Sequence, residues 1–488
     1  MEADYVVVGA GSAGCVLAAR LSEDPATSVL LLEAGGEDRR REIRIPAAFS
    51  RLYRTEVDWG YSTTAQPRLD GREIAFPRGK VVGGCSSINA QIALRGHRVD
   101  YDGWGVPGWS WDDVLPYFDR SVGAFAVEPQ RDPSPLTHAF VDAAVECGIA
   151  PAGDLNTPEP EGVALVAVNQ RRGRRWSAAD GYLRPARRRP NLTVLTRAHA
   201  RRVALDGDRA VGVEVQREGR TEVVRARREV VLAAGAIGSP QLLLLSGVDA
   251  PGVGANLQDH LVGGVLATST STHTLYAAES PGNVLRYLLL RRGMLSSNVA
   301  EAAALVRTQP ELEAPDLELL FAPVLFVDEG LAPPPEHGLT IGTIVLQPES
   351  RGRVTLRSDD PLEPPLIDPA YLSAEADARV LLDGVRLARR LLAAPALAPH
   401  VRAELLPGAE AQSDEQLVEV MRAKAHTLYH PVGTCALGTV VDPELRVHGI
   451  AGLRVADASV IPRVPRGHTN WPTVMVAERA ADLLRRGP

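Results

Sequence analysis

Residues 4–36 read DYVVVGAGSAGCVLAARLSEDPATSVLLLEAGG. Tyr5 to Val8 is an apolar run, and Gly9, Gly11 and Gly14 follow it in the spacing G-x-G-x-x-G. Ala13 to Leu21 has a helix-forming composition. A second apolar run, Val29 to Leu32, ends at Glu33. Strand, glycine turn, helix, strand and acidic residue, in that order, form a βαβ unit that binds an adenine dinucleotide. Gly9 permits the tight turn. Gly11 lacks a side chain, so a pyrophosphate can approach the backbone, and Gly14 lets helix and strand pack closely. The helix N-terminus turns free N–H groups and partial positive charge toward the phosphates. Glu33 stands 19 positions after Gly14 (33 − 14), near the spacing of about 20 expected of an acid that accepts hydrogen bonds from a ribose diol. The stretch alone leaves NAD and FAD both open.

The rest of the chain narrows the setting. Its 488 residues suffice for two or three domains. A net charge of −7 argues against a nucleic-acid partner. Lys80 and Lys424 are the only lysines, a compositional bias toward arginine. The first strand begins within a few residues of Met1, which leaves no room for a targeting peptide and makes the cytoplasm the expected location. No apolar stretch reaches the ~20 residues of a membrane span. Cys15, Cys85, Cys147 and Cys435 are scattered without metal-ligand spacing, so no metal site is expected.

Along the chain, Arg78 to Gly96 (RGKVVGGCSSINAQIALRG) strings small residues together. Such a run either lies against a flat ligand or makes a tight loop. Arg171 to Arg189 (RRGRRWSAADGYLRPARRR) is strongly basic. It is expected to be a solvated helix with arginines facing water or an anionic cofactor, in preference to a nucleic-acid patch. Strand-like runs from Asn191 lead into AAGAIGSPQLLLLSG, Ala233 to Gly247, a second strand–turn–helix suited to a nucleotide cleft. The region from Leu261 to about Val380 reads as a mostly antiparallel sheet, followed by amphipathic helices at Glu375–Leu392 and Asp414–Ala425. Glu301 lies either at the pocket or at a solvent-facing core edge. The tail gives a strand ending in Asp457 and a helix from Thr473 to Leu484.

Two histidines sit in glycine- and proline-marked turns on either side of that last strand, His430 in LYHPVGTC and His468 in RVPRGHTNWPT. Imidazole titrates at about 6.5, so either can serve as a general base.

Taken together, these blocks resemble the glucose–methanol–choline (GMC) oxidoreductases, which are FAD enzymes. GAGSAG with LLEAGG, GKVVGGCSSINAQIALRG, GAIGSPQLLLLSG, PGVGANLQDH, SRGRVTLRSDDP, HPVGTC, GLRVADASVIP, GHTNWPT and AERAADLL match family blocks in order over essentially the whole chain. The resemblance implies an α/β fold, α+β overall: a Rossmann-like FAD-binding domain and a substrate domain on a mostly antiparallel sheet. The FAD domain is expected from 1–95, 189–260 and 424–488, and the substrate domain from 96–188 and 261–423.

By the same likeness Glu33, with Ala34 beside it, takes the adenine ribose, and the turn from Gly9 through Gly11, Ser12, Ala13 and Gly14 takes the pyrophosphate. Val82, Gly84, Asn89 and Ala90 lie along the flavin and ribityl chain. Ala200 contacts adenine through its backbone. Asp457 and Ala458 hold the ribityl–pyrophosphate side, and Asn470, Pro472 and Thr473 meet the pyrimidine edge. Trp59 flanks the flavin.

His430 matches the family's active-site histidine, and His468 the second position, which is His or Asn in relatives. The implied reaction is that of a choline dehydrogenase-like alcohol oxidase or dehydrogenase. His430 takes the hydroxyl proton of a small alcohol, His468 binds the same oxygen, and hydride passes to flavin N5, with O₂ or another acceptor reoxidising the cofactor. The alternative within the family is an FAD-containing lyase of the hydroxynitrile type, with no net redox change. Cys85 stands where Gly, Ser or Thr is common. Ile88 stands where covalently flavinylated members carry histidine, so the FAD is expected to be non-covalent.

Overall fold

Neither strand of the opening unit alternates polar and apolar residues, because both faces of a parallel sheet are covered. In the computed structural model, which describes residues 1–248 and 250–486, Glu2–Val8 pairs in parallel with Val29–Glu33 on one side and Arg220–Leu232 on the other. Leu192–Thr196 extends the sheet beyond Val29–Glu33, and Leu453–Val455 extends it beyond Arg220–Leu232, both in parallel. Arg220–Leu232 spans 13 residues and has two sets of neighbours. Its first half completes an antiparallel meander with His199–Asp206 and Arg209–Arg217, and its second half lies in the parallel core. The tail returns to this layer as helix Asn470–Arg485. There Ser12 Oγ donates to Asn470 Oδ1 at 2.6 Å, and Arg20 pairs with the buried Glu478 at 2.9 Å.

The second sheet is antiparallel throughout, in the order Val401–Leu406, Leu261–Ser269, Gly338–Val345, Leu317–Ala322, Ala302–Val306, Gly162–Leu165. Its period-2 pattern separates two faces. Leu317, Leu319 and Phe321 share a core with Leu381, Val385 and Ala388 of helix Glu375–Ala393. Leu320 turns the other way, toward Val262 and Ile344. Among the described residues no helix is long and apolar enough to cross a membrane.

Two local readings change. The stretch from Leu261 to Val380 also contains a helix, Pro281–Leu290. The basic stretch Arg171–Arg189 is not one solvated helix. It opens as a hairpin, Gln170–Arg171 with Arg174–Arg175, before a short helical segment. Arg175 is fully buried in it, donating to Ile43 O at 2.8 Å and Asn89 Oδ1 at 2.7 Å.

Candidate active site

Three glycine turns converge at the carboxyl ends of the parallel strands. Gly9 has φ +100°, and a Cβ there would lie 2.6 Å from Ala233 O. Gly84 has φ +52°, and its Cβ would lie 2.6 Å from Gly11 Cα. The first turn and the Gly84 loop therefore meet backbone to backbone, with no side chain between them. The third turn is tied to the last strand by Asp457. Gly235 N and Ser239 Oγ donate to one carboxylate oxygen at 2.8 and 2.5 Å, and Ser459 N and Oγ donate to the other at 2.8 and 2.6 Å. Glu33 accepts from Ala10 N at 2.9 Å and Gly35 N at 2.8 Å. Burial outweighs those two bonds and pushes its carboxyl up to about 7.

These turns wall a cavity of about 1030 Å³. Of the residues singled out in the sequence, Gly9, Gly11, Ser12, Ala13, Glu33, Ala34, Trp59, Gly84, Asn89, Ala90, Ala200, Asp457, Ala458, Asn470 and Thr473 line it, as do His430 and His468. Gly14, Val82 and Pro472 do not. A Cβ on Gly14 would fall 1.8 Å from Gly9 O, so Gly14 packs the helix against its turn. Val82 is buried in the core, with its carbonyl accepting from Ser87 Oγ at 2.9 Å. Pro472 is buried within the last helix. Asn470 Nδ2 is buried and, among the described residues, has no partner, an open donor at the cavity wall.

His430 and His468, also on the cavity wall, stand edge to face, with ring centroids 4.7 Å apart at 81°. Asp259 fixes the loop that carries His430. Its carboxylate accepts from the backbone N of His430 at 2.6 Å, from Thr427 Oγ1 at 2.5 Å and from Tyr371 OH. His260 Nδ1 lies 3.0 Å from His430 Nδ1, and His260 Nε2 lies 3.1 Å from Leu346 O. A carbonyl only accepts, so neutral His260 carries its proton on Nε2 and presents a bare Nδ1. His430 then donates from Nδ1, which leaves its Nε2 bare. Burial, then the neighbouring His468, His260 and Arg78, hold His430 well below the usual imidazole range. Burial lowers His260 to about 4. Both rings are therefore neutral at pH 7. His468 Nε2 lies 3.2 Å from Oε1 of the fully buried Glu318.

Sequence reading did not single out Glu318, Asp259 or His260. Glu318 left one signal, a carboxylate inside LELLFA, an otherwise apolar strand with every residue buried. Glu301 is neither at the cavity nor at a wet edge. It is buried, and it accepts from Ser134 N at 2.8 Å, Ser297 Oγ at 2.6 Å and Thr137 Oγ1.

A parallel-sheet cleft walled by side-chain-free glycine turns, with a buried carboxylate at the end of its second strand and two histidines on the cavity wall, has the architecture of a dinucleotide-dependent oxidoreductase. The chain matches the family models for GMC oxidoreductase over residues 3–262 (N-terminal) and 348–477 (C-terminal). An uncharacterized GMC-type oxidoreductase of Mycobacterium tuberculosis is 51% identical to it over 526 residues, with 99% of each chain covered. An alcohol dehydrogenase [acceptor] of Pseudomonas putida is 39% identical, covering 99% of this chain and 96% of the relative. Pyridoxine 4-oxidase from Mesorbium loti superposes with a TM-score of 0.91 at 31% identity, over 100% of both chains. The chain belongs to the GMC oxidoreductase family, whose members bind FAD.

Proposed function

We propose that the protein oxidises a primary or secondary alcohol to a carbonyl compound, using FAD held without a covalent link. The observation that carries this reading is the histidine pair facing the cavity that the nucleotide turns wall, with one ring fixed as a bare acceptor. The residues present fit the cofactor. Gly11 and Gly84 leave backbone exposed where a Cβ would fill the cradle, Glu33 sits at the end of the second strand, and Asn470 keeps an unused donor. When bound, FAD supplies the two-electron acceptor for the hydrogen that leaves the carbinol carbon as hydride.

The chain's own residues bind, orient and deprotonate the substrate. His430 Nε2 accepts the hydroxyl proton, and low solvent access keeps that nitrogen unprotonated until substrate arrives. His468 holds the same oxygen, and Glu318 fixes the His468 ring through Nε2. Val262, Leu266, Leu320 and Ala322 on the second sheet give the cavity an apolar wall, which supports an uncharged alcohol bearing an apolar group. Ile88 lines the cavity with an alkyl side chain that cannot bond to a flavin, and this supports non-covalent binding.

An anaerobic panel of aliphatic and aromatic alcohols tests the reading. At least one should bleach the flavin with stoichiometric carbonyl formation, and acid precipitation should release the yellow cofactor into the supernatant. Admitting air then distinguishes O₂ from another acceptor. A flavin that no alcohol reduces would remove the proposed activity.

A further inference from the structure

The helix Pro281–Leu290 turns its leucines outward. Leu285, Leu288, Leu289 and Leu290 are 57%, 59%, 72% and 61% exposed, while Tyr287 alone in the helix is buried. Leu285, Leu288 and Leu289 stand at i, i+3 and i+4, on one face. The four offer on the order of 400 Å² of apolar surface, the size at which an exposed patch marks a binding face. Half-exposed Tyr276 adds to it from the preceding turn, which Asn283 Nδ2 ties to the helix through Ala277 O at 2.8 Å.

Arginines collect around this helix. Arg286 belongs to it, Arg291 ends it, and Arg292 follows. The basic hairpin packs against the same end: a Cβ on Gly173 would lie 2.1 Å from Arg291 O and 3.2 Å from Arg131 Cδ. Arg172 and Arg174 flank that glycine and are exposed. Asp132 is shared by Arg286 and Arg292, Glu128 accepts from Arg172 N, and Glu279, just before the helix, is paired with Arg51. The rest of the molecule carries the opposite charge, since the chain as a whole stands at −7.

Leucines ringed by arginines fit one occupant best. A second copy is disfavoured by area: the patch has about half of the ~800 Å² per partner that a stable dimer buries. An anionic bilayer meets both features, taking the leucines into its headgroup boundary and the arginines onto lipid phosphates. We propose that this face docks the protein on an anionic lipid bilayer. The turn at Leu275 beneath it packs with Phe49, Tyr53, Phe326, Leu331 and Tyr429, all of which also line the cavity. Docking would thus bring the cavity wall to the lipid surface, whatever substrate the cavity takes.

Co-sedimentation of the FAD-loaded full chain with vesicles tests this. Vesicles of phosphatidylcholine with phosphatidylglycerol should pellet the protein at low ionic strength, and added salt should release it. Vesicles of phosphatidylcholine alone should not pellet it. Leu285→Ser/Leu288→Ser/Leu289→Ser should lower partitioning at least about tenfold. Arg172→Gln/Arg174→Gln should lower it roughly fivefold per arginine. Both variants alter exposed side chains, and both should keep the wild-type melting temperature and flavin spectrum. The proposal is overturned by wild-type protein that stays in the supernatant, by equal binding to neutral vesicles, or by a leucine variant that pellets like wild type. A dimer in light scattering that the leucine variant dissolves would also overturn it, assigning the face to a second copy.

Discussion

Replacing His260 by leucine removes the acceptor that decides which nitrogen of His430 carries the proton. In the wild type the 3.1 Å contact to Leu346 O keeps the His260 proton on Nε2, and the 3.0 Å contact keeps the His430 proton on Nδ1. With leucine at 260, the His430 Nδ1–H would be buried without a partner, at a cost of about 1–3 kcal/mol. The ring escapes that cost by moving its proton to Nε2, which disables it as a base. The working tautomer is therefore expected to lose about 1–3 kcal/mol, a roughly 5- to 150-fold fall in kcat/KM. The assay is anaerobic flavin reduction by the best alcohol of the panel, on protein whose FAD content equals that of the wild type. His260→Gln, which can present an acceptor oxygen, should recover part of the loss. Unchanged kcat/KM in a fully flavinylated His260→Leu protein would refute the tautomer argument.

Three further outcomes are expected. Gly84→Ala places a Cβ 2.6 Å from Gly11 Cα at φ +52°, so it should lower the melting temperature and leave purified protein depleted of FAD; an unchanged flavin-to-protein ratio would count against the cradle. Glu318→Gln keeps shape but replaces the carboxyl that meets His468 Nε2 by an amide, and about 1 kcal/mol of hydrogen-bond strength should go with it, read as an approximately fivefold fall in kcat with KM little changed. Stability should also carry a histidine signature. Below 6.5 the unfolded chain takes up a proton that folded His260 refuses until about pH 4, so on the order of 3 kcal/mol is lost as pH falls through that window. Urea midpoints across it should fall less steeply for His260→Leu than for wild type, and parallel slopes would contradict the assignment.

Much of the fold was legible because its signals are local. In the opening unit the glycines, the helix and Glu33 follow one another within about thirty residues. Ala233–Gly247 repeats the strand–turn–helix pattern, and both appear as read. The histidine loops were visible as turns. What stabilises them was not, because the partners come from elsewhere in the chain. Glu318 meets His468 across 150 residues, and His260 meets His430 across 170. His260 sat in a short polar turn that gave no hint of its neighbour. Arg175 was one arginine among many, and only the fold distinguishes it as a buried one that holds Asn89. Gly14, Val82 and Pro472 share motifs with residues lining the cavity. Burial separates them, since a motif names a segment without saying which of its side chains face the ligand.

The proposed function requires that His430 and His468 act on an alcohol in the cavity that the glycine turns wall. The most direct test is the first-order rate of flavin reduction, measured anaerobically by stopped flow at saturating alcohol, in wild type and in His430→Ala/His468→Ala with equal FAD content. The double variant should lose about 2.7 kcal/mol or more, at least a hundredfold, since general-base catalysis alone contributes roughly 10²–10⁴-fold. A double variant that reduces its flavin at the wild-type rate would contradict it.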